Sequence, residues 1–321
     1  MTDVPSAPLR RALDDALALL AAHDVQDVTT GDPSPLPSLL EQCEAICAGL
    51  DRQGTPAVRS LHHFACTGGT LIAKCIAALP GSVLLSEIDP LSTLHLESGR
   101  KLFYPTDILA DLHTGVRCPP QQDLCEIFMA GILHMRDALA RRGQTLIVRD
   151  HAHSQFCTGV DPATRPTLYE ILIRQTPVRA LLTLRHPLDS FLSLGTNKWE
   201  HFTPFTLEEY SLRYTAFLDA YTGMERMRYE DFVVDPEAVL AQICDILDLP
   251  FDPLALDLID LHRLSGDSGR SSGHIAPRAR RDVSEDLAGQ ARRSAAYAAL
   301  CADMCYDPDP AADPAAAQEA L

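Results

Sequence analysis

Two short stretches carry residue types that suit an anion. In 64-FACTGGTL-71 an apolar run stops at Phe64, a tight polar hexad follows, and a helical pattern starts at once. Thr67, Gly68, Gly69 and Thr70 would place backbone N–H groups and two hydroxyls at a helix N-terminus, where a phosphate is favoured. Lys74 lies off the apolar stripe of Leu71, Ile72, Cys75, Ile76 and Leu79, and is expected in about the first helical turn. A cation there is disfavoured by the helix dipole unless an anion sits beside it. The stretch lacks the Gly-Lys-Ser/Thr ending of a Walker A loop. The second stretch, 185-RHPLDSFLSL-194, has Arg185 at a strand end, Pro187 opening a helix and Ser193 about two turns on. Arg185 and Ser193 are spaced to meet on one phosphate.

These residues need a scaffold that brings strand ends together. Strand candidates are 58–64, 82–87, 144–150, 179–185 and 223–229, with helical patterns at 70–79, 121–142, 166–175, 187–198, 206–221 and 236–248. Short β runs alternating with helices predict a three-layer α/β/α domain around a parallel sheet of about five strands, with ligands at the strand C-terminal edge. Gly143 is expected to stop the long helix. Residues 1–57 read as an N-terminal helical extension (8–22 and 36–51, joined by a Pro-rich link), 58–306 as the α/β domain, and 307–321 as a disordered tail.

Composition narrows the partners. The chain has 321 residues and a formal net charge of −17, which argues against general nucleic-acid binding. An anionic ligand would need a local basic site. The clearest basic cluster is 270-RSSGHIAPRARR-281, with four arginines and no acid. Ten cysteines occur without paired CxxC spacing, so a zinc site is not expected. Free thiols, with no secretory leader and no apolar run near 18 residues, point to a cytoplasmic protein without a membrane span. Oligomeric state is not legible.

The two anion stretches, with 229-YEDFVVDPEAVLAQICDILDLPFD-252, resemble the sulfotransferases that use 3′-phosphoadenosine 5′-phosphosulfate (PAPS), over roughly residues 58–282. The resemblance implies a P-loop NTPase-like fold and transfer of a sulfuryl group to a hydroxyl or amine acceptor, with no metal required. By it, 64–71 holds the 5′-phosphosulfate and Arg185 and Ser193 hold the 3′-phosphate. Tyr229, which opens the third stretch, joins the cofactor-binding set. Arg270 is the candidate for the C-terminal basic loop that closes over the 3′-phosphate, with Arg278, Arg280 and Arg281 as further arginines. Cys66 stands where the family carries Lys or Arg, so Lys74 is the expected substitute, and Cys66 is expected as a neutral thiol.

Sulfuryl transfer is mostly alignment and charge stabilisation, plus a base for the acceptor proton. Glu87, ending the second strand, and His151, just past the third, are the two candidates, with His153 behind them. Different branches of the family use one or the other, and both stay open here. His62 and His63 read as core, and Asp89 and Asp150 either pair with Arg149 or Arg185 or take part in the chemistry. Segments 92–120 and 195–206 are expected to line the acceptor pocket, with Trp199 and Phe202 as an apolar wall. The rival readings are a catalytically silent nucleotide-binding or scaffold protein of the same fold and a P-loop kinase.

Overall fold

The computed structural model describes residues 55–94, 96, 106–265 and 275–312. The chain divides into two units, Met1–Gly54 and Thr55–Leu321, of which only the second contains described residues. The expected helices at 8–22 and 36–51 lie outside the described residues.

From Thr55 onward, strands and helices alternate. Strand β1 (Val58–His63) leads through the hexad into helix α1 (Gly69–Ala77), then β2 (Ser82–Ile88), α2 (Ile108–Thr114), α3 (Gln121–Ala140) and β3 (Thr145–Asp150). A short α4 (Ala152–Phe156) and α5 (Leu168–Ile173) precede β4 (Val178–Leu184), α6 (Pro187–Thr196), α7 (Leu207–Ala220) and β5 (Glu225–Arg228). The chain ends its described part with α8 (Tyr229–Val234), α9 (Pro236–Leu247), α10 (Glu285–Arg293) and α11 (Ala295–Asp303). Pattern-based boundaries agree with these to within a few residues. Two signals explain much of that: Gly143 takes φ 68° after α3, a conformation that suits Gly, and Thr167 and Glu170 form a reciprocal capping box on α5.

All four strand pairings are parallel, in the order β2-β3-β1-β4-β5. Each strand presents alternate residues to opposite faces. Leu61, Ile147, Leu181 and Met227 pack on α1, α8 and α9. On the other face, Leu146 and Val148 pack with α3 and α5, while Leu182 and Leu184 join an aromatic cluster with α6, α7 and α11. The result is the three-layer arrangement expected. Since β1 has β3 on one side and β4 on the other, the C-terminal ends of these three strands border one crevice, the place where open α/β sheets bind ligands.

Residues 307–312, expected as the start of a disordered tail, are instead held. His186 Nε2 donates to the Asp307 carbonyl at 3.1 Å, and Arg280 Nη1 donates to the carbonyls of Pro310 and Ala312 at 3.0 and 2.8 Å. Residues 313–321 lie outside the described part.

Candidate active site

The crevice is a cavity of about 470 Å³. Its lining includes most of the residues singled out by sequence: the hexad, Lys74, Glu87, His151, Arg185, Ser193 and Tyr229. Arg270 lies outside the described residues.

The hexad forms the turn between β1 and α1. Gly68 takes φ 85°, and a Cβ there would lie 2.1 Å from the Tyr229 ring. A Cβ on Gly69 would lie 2.4 Å from the His63 ring. Both glycines are therefore required by close packing, and the first also by its left-handed backbone. Thr67 is buried, and its N–H and hydroxyl both donate to the Phe64 carbonyl, at 3.3 and 2.8 Å. It shapes the turn and has no donor left for a phosphate, contrary to the expectation from two hydroxyls. The N-terminus of α1 carries no side-chain cap, so its first amides point out of the helix end towards the crevice.

Lys74 is the sixth residue of α1 and sits in its last turn, not its first. The helix dipole favours a cation there, so the dipole argument for a bound anion does not apply. Lys74 is buried and still reaches the cavity wall.

Arg149 gathers four segments. It is 2% exposed. Its Nε and Nη2 both donate to His63 Nε2, at 3.2 and 3.0 Å. Nη1 donates to Ser86 Oγ and to the Ser265 carbonyl, at 2.9 and 3.0 Å. Nη2 also donates to Thr70 Oγ1 at 2.8 Å and lies 3.2 Å from Glu87 Oε1. Burial, and then the adjacent guanidinium, hold the His63 imidazole well below its ordinary range, so Nε2 stays an acceptor.

The two candidate bases differ in how they are held. Glu87 sits at φ 55°, where the pairing of β2 with β3 slips, and it is ion-paired to Arg149. His151 precedes α4, and among the described residues its ring has no hydrogen-bond partner. Burial lowers its pKa from the ordinary 6.5, while Glu87, Asp89 and Asp150 pull it back up. The His151 ring lies parallel to that of His153, centroids 6.2 Å apart. His153 Nε2 in turn shares a 2.8 Å hydrogen bond with His201 Nδ1, and Trp199 meets the His153 ring edge-on. His201 carried no distinguishing sequence signal beyond its place in segment 195–206.

At the β4 end, Arg185 Nη1 donates to Ser193 Oγ at 3.2 Å and to the Cys66 carbonyl at 3.1 Å. Its guanidinium lies 4.9 Å from the centre of the Tyr229 ring. Arg281 joins the same point, donating to Ser193 Oγ at 3.3 Å and to Thr196 Oγ1 at 3.2 Å. Arg281 is thus the member of the C-terminal arginine cluster that the described structure brings to the Arg185–Ser193 pair. The cluster was visible in sequence, but its register was not.

Cys66 lies in the β1–α1 turn at φ 64°, with its carbonyl accepting from Arg185. Burial pushes its thiol up to about 11, against the pull of Arg185, so it is neutral. Other expectations change. Asp89 pairs with both Nη atoms of Arg165 at 2.7 Å. Asp150 accepts from the Tyr221 hydroxyl at 2.6 Å and pairs with His62 at 2.8 Å. Neither serves Arg149 or Arg185. Of the expected apolar wall, Trp199 lines the cavity with Leu94 and Leu192, whereas Phe202 is core, 3% exposed and covered by Arg213.

The arrangement therefore offers anion donors at two separate elements of one cavity, in a chain that is acidic as a whole. Arginine forks suit phosphate and sulfate oxygens. At the ends of β2 and β3, across β1 from Arg185, lie a carboxylate held in an ion pair and a histidine ring with no hydrogen-bond partner among the described residues.

No family model matches the chain, and no curated protein matches it. Among solved structures, it is similar to a sulfotransferase domain from the curacin biosynthetic pathway, at 17% identity and a TM-score of 0.47, over 78% of this chain and 98% of that one. It is also similar to the sulfotransferase domain of the Synechococcus PCC 7002 olefin synthase, at 19% identity and a TM-score of 0.47, over 80% and 97%. A third is a sulfotransferase from Alicyclobacillus acidocaldarius, at 14% identity and a TM-score of 0.40, over 78% and 96%.

Proposed function

We propose that this chain is a sulfotransferase that moves a sulfuryl group from PAPS to a hydroxyl or amine acceptor. The observation that carries the reading is the convergence of Arg185, Arg281 and Ser193 on the cavity that also receives the N-terminus of α1. The donor set fits: guanidinium forks and a serine for a 3′-phosphate, helix amides with Lys74 for a 5′-phosphate. When bound, PAPS supplies an activated sulfuryl group on a phosphate leaving group. The chain's residues do the rest. The amides of α1 orient the 5′ end, and Lys74 offsets charge developing on the leaving phosphate oxygen. His151 accepts the acceptor's proton as the new S–O or S–N bond forms and the S–O bond to phosphate breaks. Its lowered pKa keeps it neutral, and so able to accept, at neutral pH.

Calorimetry tests the reading. Adenosine 3′,5′-bisphosphate should bind at least about tenfold more tightly than adenosine 5′-monophosphate or ATP, since each lost charge-assisted hydrogen bond costs roughly 1.5–3 kcal/mol. Equal affinity for the bisphosphate and the monophosphate would sink it. The neutral thiol of Cys66, where the resembling family carries a cation, favours one second reading: a nucleotide-binding protein without turnover. Tight bisphosphate binding with no transfer to phenols, alcohols or amines would favour that one.

A further inference from the structure

The residues that face the Arg185 end of the cavity share a pattern. Each has a close neighbour in sequence that holds, directly or through one partner, the C-terminal segment 306–312. Arg185 is followed by His186, whose Nε2 donates to the Asp307 carbonyl at 3.1 Å. Tyr229 is followed by Glu230, which accepts from the Tyr306 hydroxyl at 2.5 Å and from the His186 amide at 3.0 Å. Ser193 donates to the carbonyl of Asp189 one turn earlier, at 2.8 Å, and the Asp189 carboxylate pairs with Arg280 at 3.1 Å. Arg281 is preceded by that same Arg280.

Arg280 is the centre of this back plate. Its Nε and Nη2 donate to the Asp189 carboxylate, and its Nη1 donates to the carbonyls of Asp309, Pro310 and Ala312 at 3.4, 3.0 and 2.8 Å. Arg280 and Asp189 side chains are each 8% exposed. A guanidinium can fork two ways at once in a way an ammonium cannot. Here it ties the helix that carries Ser193 to the C-terminal segment, one residue before the arginine that reaches Ser193.

We infer that Arg280 and the segment 306–312 position Arg281 against Ser193, and so set how strongly the site distinguishes a nucleotide bearing a 3′-phosphate. Arg280 itself does not meet the nucleotide; it acts through Arg281. This inference rests on the proposed nucleotide reading and adds a role for a C-terminal segment that the sequence marks as a tail.

The test uses the full chain and two nucleotides, adenosine 3′,5′-bisphosphate and adenosine 5′-monophosphate, by calorimetry. Arg280→Gln should lose roughly tenfold or more of the preference for the bisphosphate, approaching the level of Arg281→Gln, with monophosphate affinity within about twofold of the parent. Hydrogen exchange at residues 309–312 should quicken in the same variant. Arg280→Lys keeps the charge without the fork and should lose part of the preference; it is also the variant to use if Arg280→Gln does not fold. A parent chain that prefers the bisphosphate, with that preference fully kept in folded Arg280→Gln or Arg280→Lys, would overturn the positioning role alone. An equal loss for both nucleotides would also overturn it, as a general structural effect. A parent chain with no preference would overturn the nucleotide reading, and this role with it.

Discussion

Arg149 Nη2 lies 3.2 Å from Glu87 Oε1, and the same nitrogen donates to Thr70 at the head of α1. Glu87 thereby serves the scaffold: it helps to hold a buried guanidinium that fixes the turn between β1 and α1. Among the described residues the His151 ring has no such tie. His151→Asn should lower the transfer rate by about 10²–10⁴ with nucleotide affinity unchanged, as expected for loss of a general base. Glu87→Gln should weaken nucleotide binding as well as rate, because the Arg149 cluster loosens. The pH profile supplies the sign. A neutral base is the active form, so the rate rises with pH through the His151 pKa; because burial lowers that pKa, the rising limb lies below pH 6.5 and the profile is flat above it. A limb that survives in His151→Asn and vanishes in Glu87→Gln would name the glutamate instead.

Under the proposed reading, Lys74 supplies the cation that the neutral Cys66 thiol does not. With its thiol pushed up to about 11, Cys66 should be alkylated at neutral pH far more slowly than the exposed Cys118 and Cys305. Mass-resolved labelling with iodoacetamide reads this directly, and comparable rates at all three sites would contradict the half-buried, neutral thiol. Lys74→Ala should lower turnover much more than nucleotide affinity. Full turnover in that variant would mean that Lys74 is not the substitute cation.

Local patterns carried the architecture, and long-range contacts carried what they missed. Strand–helix alternation placed all five strands, although β1 (VRSLHH) and β5 (ERMR) carry charged and polar residues and only Met227 of β5 is buried. The last helix, α11 (AAYAALCAD), is apolar on nearly every side and offers no stripe to read. Arg185 and Ser193 were legible because eight residues span one strand end and two turns. Arg149 was not, since its partners Thr70, Ser86, Glu87 and Ser265 come from elements far apart in sequence. Lys74 is a different case: the start of α1 was read to within one residue, but the helix has nine residues and ends at Ala77, which puts Lys74 in its last turn.

Stability should fall on acidification through His186. Burial, and then Arg280, push its pKa from 6.5 down to about 4. The folded state therefore binds fewer protons than the unfolded chain between these values. The contribution is fully present above pH 6.5 and is lost as pH falls towards 4, to the extent of roughly 3 kcal/mol at most. Glu230 works in the opposite sense, since burial raises its pKa and stability declines as it ionises. Denaturant melts between pH 4 and 7 should be steeper in pH for the parent than for His186→Gln. An identical pH dependence in both would show that His186 is not held neutral.

Gly68 offers a comparison between backbone strain and a displaced ring. At φ 85° an added Cβ would lie 2.1 Å from Tyr229, whereas at Gly143, φ 68°, an added Cβ meets nothing within 4 Å. Gly143→Ala should cost only the conformational term, about 1 kcal/mol. Gly68→Ala should cost more, about 1–3 kcal/mol, because Tyr229 must move. Tyr229 supports the Arg185 guanidinium at 4.9 Å, so its displacement should also reduce the preference for adenosine 3′,5′-bisphosphate. Thermal melts and calorimetry on the two variants check both halves. If Gly68→Ala matches Gly143→Ala in stability and keeps the parent preference, Tyr229 does not brace the arginine site.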